Sequence, residues 1–149
     1  MRRIDQGMAR DAADLLPRVT GDNAKELRSR FRHLPIQLHS SGLAATYAFL
    51  AARSSSASTD RLADAYRDVA KQIRTQLAAK GLISDELTTE SEPEVHRAML
   101  TALGDMDWTA YARASREVGI LFSWLRRLAD AVYSGAETRS GRSGTGEDR

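Results

Sequence analysis

Residues 107–132 read DWTAYARASREVGILFSWLRRLADAV. Placed about 100° apart, as on an α-helix, Tyr111, Val118, Leu121, Phe122, Leu125, Ala129 and Val132 fall on one side. Arg113, Arg116 and Arg127 gather on the opposite side, with Ile120 and Trp124 among them or at their edge. The stretch predicts a long amphipathic helix over about 108–133, with one face sealing a core and the other left to water or a ligand. Asp105 and Asp107 stand where helix caps are preferred, just before its first turn.

The same period runs through the rest of the chain, while valine and isoleucine are scarce and strict alternation is almost absent. Residues 4–16 form a short first helix that stops at Pro17, because proline disfavours helix in the residue before it. Thr20, Asp22 and Asn23 are candidate caps for a helix over 24–40, with a kink near His33 and Leu34 ahead of Pro35. Gly42 separates it from a small-residue, strongly apolar helix over 43–53 that belongs in the core. After the Ser-rich loop, Thr59 or Asp60 caps a helix over 61–80 that ends at Gly81; Leu62, Tyr66, Val69, Ile73 and Leu77 form its apolar stripe, opposite Asp64, Arg67, Asp68 and Lys71. Pro93 opens a brief helix to about residue 103. The reading is an all-α, compact helical bundle of five to six helices, a single domain over 1–134, followed by a disordered tail over 135–149.

Composition agrees with one soluble domain. The chain has 149 residues, of which 42% are hydrophobic and 28% charged, close to the globular average. No apolar run reaches the roughly 20 residues needed to span a bilayer, so the expected location is cytoplasmic and no membrane partner is expected. Without cysteine there is no disulfide framework, thiol nucleophile or cysteine-ligated zinc. The net charge of +2 creates no strong global field, but only Lys25, Lys71 and Lys80 are lysines; the other 19 basic residues are arginines, which suit bidentate phosphate contacts and stacking.

Catalytic and cofactor chemistry finds no pattern to use. His33, His39 and His96 have no second histidine at one-turn spacing, so metal ligation is not expected, and for His33, beside arginines, a solvated or capping role outranks a contact with RNA. Asp85, Glu86, Glu90, Glu92 and Glu94 lack the glycine and alternating ligands of a calcium loop, and read as a solvated segment whose last glutamates complement a helix dipole. GxSxG, SxxK, GxGxxG and Walker patterns are absent. No catalytic residue, metal ligand or cofactor is assigned. What remains is surface: the arginine face of 108–133 with Trp124, and the run Lys25, Arg28, Arg30, Arg32 and His33, where only Glu26 offsets the charge nearby. Trp124 equally fits a role covering part of the core.

Two stretches carry a resemblance. RFRHLPIQLHSSGLAATYAFLAAR, through Arg32, Leu34, Pro35, Gly42, Leu43, Phe49 and Leu50, resembles the signature of the small helical subunit of type III-B CRISPR effectors, the Cmr complex. The stretch 107–132 is similar to that family's C-terminal helix at Tyr111, Arg116, Glu117, Trp124, Leu125, Arg126, Arg127 and Ala129. The family often has lysine at Arg32 and Arg126. The resemblance implies a non-catalytic architectural subunit that stacks in several copies beside guide RNA and target RNA. Its other partners would be the backbone subunit, which cuts target RNA, and the large subunit. Arg30, Arg32, Arg113, Arg116, Arg126 and Arg127, with Trp124, are then the RNA-binding or assembly residues. A helical adaptor that binds only protein is the alternative; a DNA-binding regulator ranks below both, since no helix–turn–helix precedes a basic recognition helix.

Residues 135–149 offer no apolar side chain larger than alanine to anchor them. Deleting them is expected to move the thermal midpoint by no more than about 1–2 °C, the size of a minor surface change, in a calorimetric scan of the two chains.

Overall fold

The computed structural model describes residues 4–54 and 61–145, with side chains described from 6 to 54 and from 62 to 133. Among them are six α-helices and one 3-10 turn: α1 (Ile4–Leu15), α2 (Asp22–Ser41), α3 (Leu43–Ser54), α4 (Arg61–Ala79), the turn Asp85–Thr88, α5 (Pro93–Asp105) and α6 (Trp108–Thr145). The all-helical bundle expected from periodicity is what forms. The caps expected at Thr59 or Asp60 lie outside the described residues. The backbone of α6 extends past residue 133, where the apolar stripe ends; side chains from 134 onward and residues 146–149 lie outside the described set, and the tail expectation falls there.

Helix ends follow local chemistry. Gly81, at φ +70°, takes the left-handed conformation, so its N–H reaches Ala78 O at 2.9 Å and Leu82 N–H reaches Leu77 O at 2.9 Å, closing α4 in a Schellman turn. Asp107 caps α6 through Oδ1, which accepts from Ala110 N at 2.7 Å. At α2 the cap differs from expectation. Gly21 occupies the cap position and no side chain bonds the free amides, while Asp22 joins the first turn, where its charge meets the positive end of the helix dipole. Pro35 lies inside α2, which continues through it to Ser41.

The largest interface is between α2 and α6, followed by α3 with α4 and α1 with α6. Leu38 lies against Gly119, and Arg28 and Arg32 reach Asp130, so α2 and α6 run antiparallel. Ala114, Val118, Leu121, Phe122, Leu125 and Ala129 of α6 are buried against Leu27, Phe31, Leu34, Tyr47, Leu50, Val69, Ile73 and Leu77 in one core. The expected stripe errs at its two ends. Tyr111 is half-buried, its hydroxyl accepting from Ala44 N at 3.0 Å. Val132 is 60% exposed, and Tyr133 is buried in its place. Near that end α6 meets the α1–α2 connection, and the Tyr133 hydroxyl donates to Pro17 O at 2.7 Å, which turns the buried side by one residue.

The core also holds a polar network that periodicity does not reveal. Arg74 is fully buried. Four of its five N–H groups are used: on Leu87 O at 2.7 Å, Tyr47 Oη at 2.8 Å, Thr89 O at 2.8 Å and Ser91 Oγ at 3.1 Å. The guanidinium thus ties α3 and α4 to the backbone of the acidic segment, with neutral oxygens satisfying the charge. The Tyr47 hydroxyl, accepting from Arg74, lies 2.8 Å from His96 Nδ1. His96 Nε2 then faces Ser54 Oγ at 3.5 Å, and Ser54 donates to Ala51 O at 2.9 Å. With His96 neutral and its proton on Nε2, Nδ1 accepts from the Tyr47 hydroxyl and every member of the chain has a partner.

Two stability predictions follow from this packing. Leu125→Ala is expected to cost roughly 2–5 kcal/mol and Arg113→Ala less than about 0.5 kcal/mol in denaturant unfolding, because one side chain is enclosed and the other is at the surface. Burial, and then the Arg74 charge, hold His96 below its ordinary 6.5. Unfolded chains therefore take up this proton before folded ones. The contribution is present above pH 6.5 and is lost as pH falls from there through the folded-state value. His96→Gln is expected to lower stability at neutral pH and to flatten its dependence on pH below about 6.5, measured by unfolding across the acid range.

Candidate functional site

The exposed face of α6 carries Arg113, Arg116, Arg126 and Arg127, all on the surface. Among the described residues no salt bridge reaches any of the four. Arg113, Arg116 and Arg127 share one side and span about 21 Å of helix axis. Arg126 is turned about 100° from Arg127, toward the side that meets α2. Trp124 is half-buried and packs on the core, and the Arg127 guanidinium stands over its ring at 5.7 Å. That cation–π contact uses part of the indole face and holds Arg127 in place. Ile120 packs beside it.

The basic run on α2 is divided rather than pooled. Arg28 Nε and Arg32 Nη2, one turn apart, both donate to Asp130 Oδ1 at 3.0 Å. Hydrogen bonds from Arg28 and then Arg32 hold the Asp130 carboxyl below its ordinary range. The pairs are partly solvated, so each adds little stability, but together they set the register of α2 on α6. Arg30 sits across α2 from both, within 4.0 Å of Glu26, its expected partner, and close enough to Tyr66 to act on it electrostatically, as does Arg53. Arg30 and Arg32 therefore do not join the arginine face of α6 as one surface. The local sequence names only Glu26 as a counter-charge; Asp130, about a hundred residues away, is the one it misses.

The acidic segment is solvated outside and anchored inside. Asp85, Glu86, Glu90, Glu92 and Glu94 are exposed, Lys71 pairs with Glu90, and Arg74 holds the backbone beneath them. Among the described residues no group of three or more histidines and carboxylates is placed to hold a metal ion. A further feature escapes the stripe analysis because it stands in the first turn of α6: Trp108 is 80% exposed. It borders an apolar groove of about 530 Å³ lined by Leu103, Gly104, Met106, Tyr111 and Ala112. No described helix is long and apolar enough to cross a membrane.

Over residues 4–132, from the first turn of α1 to the exposed Val132, the chain matches the family model described as CRISPR-associated protein (Cas_Cmr5). No curated protein and no solved structure matches it. The matched region contains every described helix pairing and the whole arginine face, and it is the family that residues 30–53 and 107–132 resemble. The chain belongs to the Cmr5 family of CRISPR-associated proteins.

Proposed function

We propose that the chain is a non-catalytic architectural subunit of a cytoplasmic type III-B Cmr effector, supporting guide RNA and target RNA on the arginine face of α6. Several copies would lie side by side along the RNA. One observation carries the reading: Arg113, Arg116 and Arg127 are exposed, lack salt bridges among the described residues and share one side of a helix whose other side seals the core. Folding does not require cations there. A row of guanidinium groups attracts phosphates without reading bases, which suits a subunit that must accept any guide. Trp124 supports Arg127 from below and offers a base only the part of its ring that Arg127 leaves open. Arg126 extends the charge toward α2. Arg30 and Arg32 contribute at a distance, since their carboxylate partners offset part of their charge.

The test is charge reversal at Arg116 and Arg127. The double glutamate variant is expected to keep its helical circular dichroism and melting curve, since both positions are exposed. It is expected to lose single-stranded RNA binding, or incorporation into the reconstituted effector, by a margin that shrinks as salt rises. A variant that binds RNA and assembles like the parent at low salt rejects this face. An adaptor that binds only protein would show no log-linear loss of RNA affinity with salt in either chain.

A further inference from the structure

We propose that the corner between α5 and α6 is a protein-docking surface, with Trp108 as its anchor and a partner that presents apolar side chains flanked by lysine or arginine. The inference rests on the reading of the chain as a subunit of a multiprotein effector, and it assigns one surface to one class of partner. Trp108 is 80% exposed, beside a groove of about 530 Å³ whose walls are Leu103, Met106, Tyr111 and Ala112. Leaving an indole and an apolar groove side by side in water is unfavourable for an isolated protein, and buried tryptophans dominate many interfaces. Ile36 and Val132 are the other large exposed apolar residues among those described.

Charge selects the partner. Asp105 and Asp107 both precede Trp108, on either side of Met106, and both are exposed. Asp107 spends Oδ1 on the α6 cap, and its second oxygen can still accept a hydrogen bond. Asp107 lines the groove and Asp105 stands two residues before it, so a base that reached the indole would bring its phosphates toward both carboxylates. A basic rim on a protein partner would pair with both while its apolar centre covers Trp108. The first cation along α6, Arg113, directly follows Ala112 but is turned about 100° from it around the helix, on the arginine face. One helix thus carries a protein-facing end and an RNA-facing side that can be occupied together.

The experiment uses the effector reconstituted from its backbone and large subunits, guide RNA and this chain. A Cβ at Gly104 meets nothing within 4 Å, so Gly104→Arg places bulk and positive charge at the groove without displacing packed atoms. Trp108→Ala and Gly104→Arg are each expected to reduce incorporation about tenfold or more, while melting and RNA binding by the isolated chain stay at parental values. A benzophenone amino acid at position 108 is expected to crosslink, under ultraviolet light, to a peptide of another protein subunit that contains apolar and basic residues. Parental incorporation of both variants overturns the proposal. So does a crosslink that lands on RNA, on a second copy of this chain or nowhere. Loss of incorporation for the Arg116 and Arg127 reversal, with normal incorporation of both corner variants, sinks the docking surface and leaves the RNA face standing. If the unaltered chain does not join the effector, both fall.

Discussion

The burial of Val118, Leu121, Phe122, Leu125 and Ala129 sets the rotation of α6, and with it the direction of every arginine on that helix. These side chains are enclosed, so turning α6 by one residue would expose several of them at about 1.5–3 kcal/mol each. No surface interaction in the molecule approaches that sum. The arginine face is therefore a consequence of core packing: with the apolar stripe inward, Arg113, Arg116 and Arg127 have only one way to point. A rigid scaffold of this kind suits the proposed use of that surface, which is to hold phosphates at fixed positions.

The many arginines of the chain serve different ends. Arg74 is an internal fastener, its N–H groups taken by carbonyl and hydroxyl oxygens, that ties the backbone of the acidic segment to the bundle. Arg28 and Arg32 lock α2 against α6 through one carboxylate. Arg67 bonds Asp64 and the Ser54 carbonyl. Arg113, Arg116 and Arg126 have no such partner among the described residues, and Arg127 rests only on the Trp124 ring, so these charges are exposed together along one helix.

The two ends of the bundle differ in the same way. Around Tyr47, Arg74 and His96 the structure encloses a directional hydrogen-bond chain, which adds specificity to the α3–α4–α5 packing and makes it sensitive to acid. At the α5–α6 corner it leaves an indole and an apolar groove uncovered beside two carboxylates. The first arrangement is complete within the chain; the second is the surface proposed to dock a partner.

Much of this was legible in the residues alone. Periodicity placed all six helices and most of the large core residues of α4 and α6, though Leu62 of the α4 stripe is only half-buried; Pro17, Gly42, Gly81 and Pro93 marked boundaries close to where they fall, and the spacing of Arg113, Arg116 and Arg127 put them on one exposed side. Local rules suffice for such features because helix period, caps and breakers act within a few residues. The partners of Arg28, Arg32 and Arg74, the neutral state of His96, the exchange of Val132 for Tyr133 and the half-burial of Trp124 were not legible. Each depends on a group brought close from another helix, Asp130 above all, and on which neighbour covers the end of α6. Sequence determined which faces were apolar and which were charged, whereas tertiary packing decided which charges were already paired, because a contact across about a hundred residues leaves no periodic trace in either segment.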